Sequence, residues 1–147
     1  MLIETRYRLP DSQRRWLQDH EPSWGFGEFS KFIFYSRYSI YNPDTDYQET
    51  PGDVIIRVVE GAGSYLLDAA HKRNITLPFD IDSLMIEMAQ GIHDLRWTPS
   101  GRNLWKGGTD YVYERGSAAL NNCAFVSVDV LSEAAAWTMD HLMLAVS

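Results

Sequence analysis

The chain has 147 residues and a formal net charge of −7, from 13 Lys and Arg against 20 Asp and Glu. Its composition, 45% hydrophobic and 13% aromatic, supports a buried core and excludes a disordered chain. The acidic balance argues against general binding to nucleic-acid phosphates, although it leaves open a local anion site built from backbone N–H groups.

The cysteine content and the N-terminal residues limit the cellular compartment and the kinds of metal site that we expect. The chain has one cysteine, Cys123, which excludes an internal disulfide and a multi-cysteine zinc site. The N-terminus lacks the apolar stretch of a secretory signal, and no apolar run approaches about eighteen residues. We therefore expect a cytoplasmic protein with no membrane partner, no nucleic-acid partner and no metal ligands.

The first forty residues contain one clear element and one ambiguous element. A short helix is predicted over residues 10–20, with Asp11 or Ser12 as its cap. The stretch 24–43 is ambiguous, because its aromatic residues favour a strand while part of its spacing fits a helix face. A turn-rich loop is predicted over 42–53.

The pattern from Pro51 onward predicts a long amphipathic helix. Its apolar stripe has helical spacing and consists of Val54, Ile55, Val58, Val59, Ala62, Tyr65, Leu66 and Ala69. Gly61 and Gly63 interrupt the stripe, and they predict a break or a bend there.

A second helix is predicted after residue 80. Its apolar face consists of Leu84, Met85, Met88, Ile92 and Leu95. Asp82 or Ser83 is the expected cap, and Thr98-Pro99 is expected to end the helix near Trp97.

The last third of the chain is predicted as a loop, a strand and a helix. Residues 98–119 have a loop-like composition, and residues 123–130 are typical of a buried strand. Residues 132–147 predict a helix capped by Ser132, with an inner face of Ala135, Met139, Leu142, Met143 and Val146. This helix continues to the last residues without a terminating signal, which suggests that the chain is cut.

Two local features are candidate sites, and each has an ordinary structural alternative. Thr98, Ser100 and the glycines that follow could bind an anion, but they match neither nucleotide-loop signature, so a plain surface loop is the alternative. Taken alone, Cys123 fits a small buried hydrophobe. A nucleophilic role for Cys123 would need an activating histidine, and no histidine has a suggestive relation to it in sequence.

Two stretches of the sequence together resemble a known family. "TPSGRNLWKGGTDY" (98–111) and "ALNNCAFVS" (119–127), supported by "WGFGEFSKFIFYSRYS" (24–39) and "RVVEG" (57–61), resemble the N-terminal part of the ribonucleotide reductase large chain. The resemblance is strongest to the adenosylcobalamin-dependent, monomeric ribonucleoside-triphosphate reductases.

The resemblance implies both a fold and a set of site residues. The fold would be an α-rich (α+β) fragment, with a helical N-terminal region over 1–97. Residues 98–147 would carry a phosphate loop and the first strand and helix of a ten-stranded α/β barrel. Cys123 would be one half of a redox-active disulfide pair, and the substrate contacts would be Thr98, Ser100, Asn122 and Cys123.

The resemblance also implies a radical reduction of ribonucleotides to 2′-deoxyribonucleotides, with triphosphates as the expected substrates. Adenosylcobalamin would be bound mainly by the missing part, and an external dithiol such as thioredoxin would restore the thiols. Because the complete mechanism needs further cysteines, the isolated chain is expected to be inactive and to need a complementary chain carrying the rest of the barrel. The alternative is a non-catalytic remnant or regulatory binding module derived from such a reductase.

Overall fold

The computed structural model describes residues 3–25, 27–121 and 126–143. These ranges are rich in helix, with one short hairpin. The elements in chain order are α1 (Asp11–Asp19), α2 (Glu28–Arg37), β1 (Tyr41–Asn42), β2 (Tyr47–Gln48), α3 (Pro51–Lys72), α4 (Ile81–His93), α5 (Gly101–Lys106), α6 (Asp110–Arg115), a 3₁₀ turn (Ser117–Leu120) and α7 (Leu131–Met143). None of the helices in this described part is long and apolar enough to cross a membrane.

The core is organised around α3, and α1 and α4 pack against it. The predicted stripe supplies fully buried Val54 and Val59 together with Ile55. The side chains that meet them from other segments are Tyr7, Leu9, Leu17, Met85, Ala89 and Ile92. The helical period identified the first half of this face correctly, because residues three and four apart lie on one side of a helix. The second half of the predicted stripe, Ala62, Tyr65, Leu66 and Ala69, is only partly buried.

The helix starts are set by side chains that differ from most of the predicted caps. Thr50 and Asp53 form a capping box at the start of α3, and each side chain accepts a hydrogen bond from the other residue's backbone N–H. Asp80 caps α4 by accepting from the Ser83 backbone N–H, so the prediction of Asp82 or Ser83 was wrong. The residue before α1 is Pro10, which makes no side-chain cap.

Helix α3 runs through both of its central glycines, so the predicted break is absent. The glycines instead allow close packing on two sides. A β-carbon on Gly63 would lie 2.5 Å from Cδ1 of Tyr7, and one on Gly61 would lie 2.6 Å from Cα of Gly108. Both positions therefore need a residue without a side chain.

The ambiguous stretch 24–43 forms mainly a helix, α2, followed by the first strand of the hairpin. The two strands are antiparallel, and Tyr41 pairs with Gln48. Helix α2 buries none of its residues, and Phe29 and Phe32 are each 67% exposed. Because the aromatic side chains of this helix are largely exposed, they do not follow the 3.6-residue apolar repeat that would distinguish a helix from a half-buried strand, and this explains the ambiguity.

The last third differs from the prediction in three respects. Residues 98–119 form two short helices and a 3₁₀ turn rather than a loop, because Ser100 caps α5 and Thr109 precedes α6. The part of the predicted strand that the structure describes, 126–130, is irregular and has no paired neighbour there, and a strand needs one.

Helix α7 begins at Leu131, so Ser132 lies within it rather than capping it. Two residues of its predicted inner face, Ala135 and Met139, are exposed, whereas Ala134 is buried, and the side chains of Leu142 and Met143 are not among those described. Val146 lies outside the described residues. The ten-stranded barrel remains a prediction.

Candidate functional site

The predicted phosphate loop is reduced to a short connection between α4 and α5. Ser100 is exposed, and its Oγ accepts a hydrogen bond from Nδ2 of Asn103 at 2.9 Å and one from its backbone N–H at 3.4 Å. Thr98 is also exposed, and it borders a small apolar cavity of about 80 Å³ beside Trp24 and Phe34. The two hydroxyl residues therefore lie on one accessible connection.

Two of the predicted site residues, Asn122 and Cys123, lie outside the described residues. The structure describes the chain up to Asn121, where the backbone N–H donates to the Ala118 carbonyl at 3.0 Å. The description resumes at residue 126. The structural information that bears on Cys123 therefore comes from the preceding segment, residues 98–121.

That segment is held to α3 by Arg57, whose side chain is only 12% exposed. The guanidinium forms two hydrogen bonds with the Glu49 carboxylate, at 2.7 and 2.9 Å. Its other N–H groups donate to the carbonyls of Leu104 at 3.0 Å and Gly107 at 2.6 Å. Arg57 thereby satisfies carbonyls at the end of α5 that have no partner within the helix.

Two glycines bring the backbones into contact just beyond that point. Gly108 has a φ of +73°, in the region that favours glycine, and packs on the Arg57 backbone carbonyl and on Gly61. The turn between α5 and α6 is therefore fixed against the middle of α3. Sequence reasoning missed this arrangement, and its signal was a lone arginine within the apolar run of α3.

The N-terminal segment is held to the same helix by buried polar groups. The Tyr7 backbone N–H donates to Oγ of Ser64 at 2.9 Å, and the Leu9 N–H donates to Oε1 of Glu60 at 3.0 Å. Glu60 also pairs with Arg14. Burial, together with the hydrogen bond from its hydroxyl to Asp82, raises the pKa of Tyr7.

Two of the histidines, His20 and His93, have structural contacts. Trp16 stacks on His20 at 4.8 Å and packs on His93 at 4.6 Å between ring centroids. His93 is buried and lies 3.1 Å from Oδ1 of Asp94 and 3.3 Å from the His20 carbonyl. Within the described ranges, no His, Cys, Asp and Glu side chains are grouped closely enough to hold a metal ion.

The family assignment comes from comparison with known proteins. Residues 13–109 match the family model described as the ribonucleotide reductase alpha domain. The chain belongs to the ribonucleotide reductase family. The matched range includes the predicted substrate contacts Thr98 and Ser100, the buried Arg57 and the α5–α6 turn.

Individual members of the reductase family agree with this assignment. The chain is 36% identical over 110 residues to an adenosylcobalamin-dependent ribonucleoside-triphosphate reductase of Levilactobacillus brevis, covering 73% of this chain and 14% of that protein. A reductase of the same name from Lactobacillus gasseri is 34% identical over 122 residues, covering 81% and 16%.

The crystal structure of a B-12 dependent (class II) ribonucleotide reductase superimposes with a TM-score of 0.65 at 28% identity. The superposition covers 80% of this chain and 16% of that one. The chain thus corresponds to about one-seventh of a complete reductase.

Proposed function

We propose that this chain supplies the N-terminal part of an adenosylcobalamin-dependent ribonucleotide reductase and acts together with a complementary chain that carries the remaining barrel. The observation that carries the proposal is the family match over residues 13–109. The relatives' names supply the reaction and the cofactor. This chain corresponds to 14–16% of the relatives' length, and the complementary chain is proposed to carry the remaining reductase.

Cys123 has the role of a reductant in this proposal. Replacing the ribose 2′-hydroxyl by hydrogen releases water and takes up two electrons and two protons. Two thiols supply both when they are oxidised to one disulfide. Because the chain has one cysteine, the second thiol comes from the complementary chain, with Cα atoms about 4.4–6.8 Å apart as a disulfide requires. An external dithiol then reduces the disulfide.

The hydroxyl residues on the α4–α5 connection have the role of substrate contacts. A serine hydroxyl has one donor hydrogen and two acceptor positions. Asn103 donates to Oγ of Ser100, so the hydroxyl hydrogen of Ser100 stays available for a phosphate oxygen. Thr98 is exposed on the same connection, and Asn122 is proposed to lie beside the ribose with Cys123.

The described residues do not fit adenosylcobalamin. A groove of about 550 Å³ that they form is lined mainly by charged side chains, among them Arg6, Arg14, Asp53 and Glu60. Arg14 and Glu60 already pair with each other there. A corrin macrocycle needs a broad apolar surface, so we assign the cofactor to the complementary chain.

The test is ribonucleotide reduction by a mixture. The chain is combined with a relative's reductase from which the matching N-terminal segment has been removed, adenosylcobalamin and a dithiol. Each chain is also assayed alone. The variants are Cys123→Ser, which removes the proposed redox thiol, and Ser127→Ala, which removes a nearby exposed hydroxyl and is the matched control.

We expect turnover only in the mixture, with loss of turnover in Cys123→Ser and retention in Ser127→Ala. Association without turnover would overturn the catalytic role and favour a non-catalytic remnant or regulatory binding module. Absence of association would overturn the need for a complementary chain of this kind.

A further inference from the structure

Leu95, just after α4, has a backbone conformation that leucine rarely adopts. Its φ is +55°, and among the described residues other than glycine only Asp46 and Asn74 share a positive φ, at +51° and +52°. Asp and Asn adopt this left-handed conformation more readily than other residues, because their short polar side chains can hydrogen-bond locally. Leucine has no such compensation. Its conformation therefore has a cost in free energy that the packing around it must offset.

Leu95 and Asn74 occupy the same place in two equivalent helix ends, of α4 and α3. In each, the residue with positive φ donates its backbone N–H to the carbonyl three positions back, and the next residue donates to the carbonyl five positions back. The distances are 3.1 and 2.9 Å at both ends. This is the Schellman motif, which usually has glycine or asparagine at the left-handed position. The turn itself therefore accounts for Asn74 but not for Leu95.

The side chain of Leu95 has a contact that asparagine or glycine could not make. Leu95 is half exposed, and it borders the small apolar cavity that also touches Thr98. Other segments contribute Trp24, Phe34 and Ile92 to the walls of this cavity. Leu95 and Thr98 thus meet the core at one place, three residues apart on the α4–α5 connection. An apolar side chain at position 95 helps to hold the residues just before Thr98 against the core.

A second contact fixes the same turn. The indole of Trp97 packs on the buried Gly91, where a β-carbon would lie 2.2 Å from Nε1 and 2.9 Å from Cδ1 of the indole. Thr98 follows Trp97 directly, and Pro99 restricts the backbone of Thr98 to extended conformations. The path of the chain from α4 to Thr98 is therefore set by a strained turn and two side-chain contacts.

We propose that Leu95 is a positioning residue, whose strained backbone and cavity contact hold the α4–α5 connection in the form in which Thr98 and Ser100 bind the substrate phosphate. This role rests on the phosphate contacts proposed above. A phosphate contact that is equally strong in the bound substrate and in the transition state affects KM and leaves kcat unchanged. Leu95 therefore affects substrate binding through Thr98, without touching the substrate.

The experiment exchanges the residues of the two turns. Leu95→Asn gives the α4 turn its usual residue and removes the cavity contact. Asn74→Leu introduces the strain of a left-handed leucine at the end of α3, in a turn that contains no proposed site residue. Leu95→Met keeps an apolar side chain at the cavity and is the conservative variant.

Three measurements are made on the full 147-residue chain and its variants. Reduction of CTP in the reconstituted mixture described above gives KM and kcat. Amide hydrogen exchange of Asn103 and Leu104, in the first turn of α5, reports the order of the connection in the chain alone, without turnover. Thermal unfolding followed by circular dichroism gives the Tm.

We expect Leu95→Asn to raise KM about tenfold with kcat unchanged, which corresponds to the loss of one hydrogen bond to a charged phosphate. Exchange at the start of α5 should be about tenfold faster, because local opening of the connection needs less free energy. The Tm should stay within about 4 °C of the parent value, since relief of the strain offsets the lost apolar contact.

The two other variants separate strain from positioning. Asn74→Leu should lower the Tm by about 2–4 °C and leave KM and hydrogen exchange unchanged. Leu95→Met should retain the parent KM and exchange rates, because it keeps the apolar contact.

An unchanged KM or unchanged exchange in Leu95→Asn would overturn the positioning role. A fall in kcat as large as the rise in KM, or an equal rise of KM in Asn74→Leu, would overturn it too, because either result indicates a general loss of structure. Absence of turnover in the parent mixture would instead overturn the proposed function, and the exchange rates would then decide whether Leu95 holds the connection.

Discussion

Arg57 connects three segments that are far apart in sequence. Its guanidinium contacts Glu49 before α3, and it also contacts the carbonyls of Leu104 and Gly107 at the end of α5. The side chain is 12% exposed and that of Glu49 is 17% exposed, so water screens the pair only partly. Together with the packing of Gly108 on Gly61, Arg57 therefore fixes the segment before Cys123 against the helical region.

Replacing Arg57 by glutamine should destabilise the chain by about 2–4 kcal/mol, because the largely buried Glu49 carboxylate keeps only the Ile40 backbone N–H as a donor and two carbonyls lose theirs. Urea unfolding followed by circular dichroism measures this change. The control is Arg8→Gln, whose ion pair with Asp11 is 70–73% exposed and should contribute less than about 1 kcal/mol. Equal losses in the two variants would contradict the special role of Arg57.

Among the helices, α3 has the most complete N-terminal cap. Thr50 and Asp53 exchange hydrogen bonds, and the Asp53 carboxylate also accepts from Tyr47 at 2.5 Å and Gln18 at 2.9 Å. Burial opposes ionisation of Asp53, but the hydrogen bonds from Gln18, Tyr47 and Thr50 outweigh it and lower its pKa below 3.8. The cap thus joins α1, the hairpin and α3 through one carboxylate.

The lowered pKa of Asp53 predicts a pH dependence of stability. Its contribution should be complete above the unfolded pKa of about 3.8 and should be lost as the pH falls through the lower folded value. Asp53→Asn should therefore reduce stability at neutral pH and flatten the decline below about pH 4. Urea unfolding at several pH values tests this, with Asp44→Asn in the exposed hairpin turn as control. An unchanged slope in Asp53→Asn would contradict the assignment.

At the scale of the whole molecule, the described residues divide into a packed helical part and a weakly packed α7. Residues 127–133 are exposed, and along α7 Ala134 is buried while Met139 is 60% exposed. Leu131 and Val128 are also apolar and exposed. The side chains that the structure describes up to residue 140 therefore contribute little hydrophobic stabilisation to the packing of α7 on the rest of this chain.

A chain that ends after Asn121 should unfold with a free energy within about 1 kcal/mol of the full chain, since the removed apolar side chains that the structure describes are mostly exposed. Urea unfolding of both proteins tests this, and the slope of the transition reports the surface exposed on unfolding. Removing residues 1–9 instead should be strongly destabilising, because Tyr7 and Leu9 are buried in the core. A large loss in the chain that ends at Asn121 would show that residues 122–147 contribute to the core.

The sequence predicted most reliably those features that depend on helical period. The N-terminal part of the buried face of α3 and the existence of α4 follow from apolar spacing, and that of α1 from local capping residues, and both are properties of neighbouring residues. The family also followed from the residues alone, because the two motifs around Thr98 and Cys123 are specific in type and spacing, and the match over 13–109 confirmed it.

Only the tertiary structure decided which residues hold these helices together. The low helix propensity of Gly61 predicted a break, but in the structure its missing side chain allows the close approach of Gly108. The sequence assigned no contact to Arg57, because its hydrogen-bond partners are 8 to 50 positions away. Helical period and motif spacing are carried by adjacent residues, whereas close approach, burial of a charge and the lining of a groove exist only once distant segments have packed.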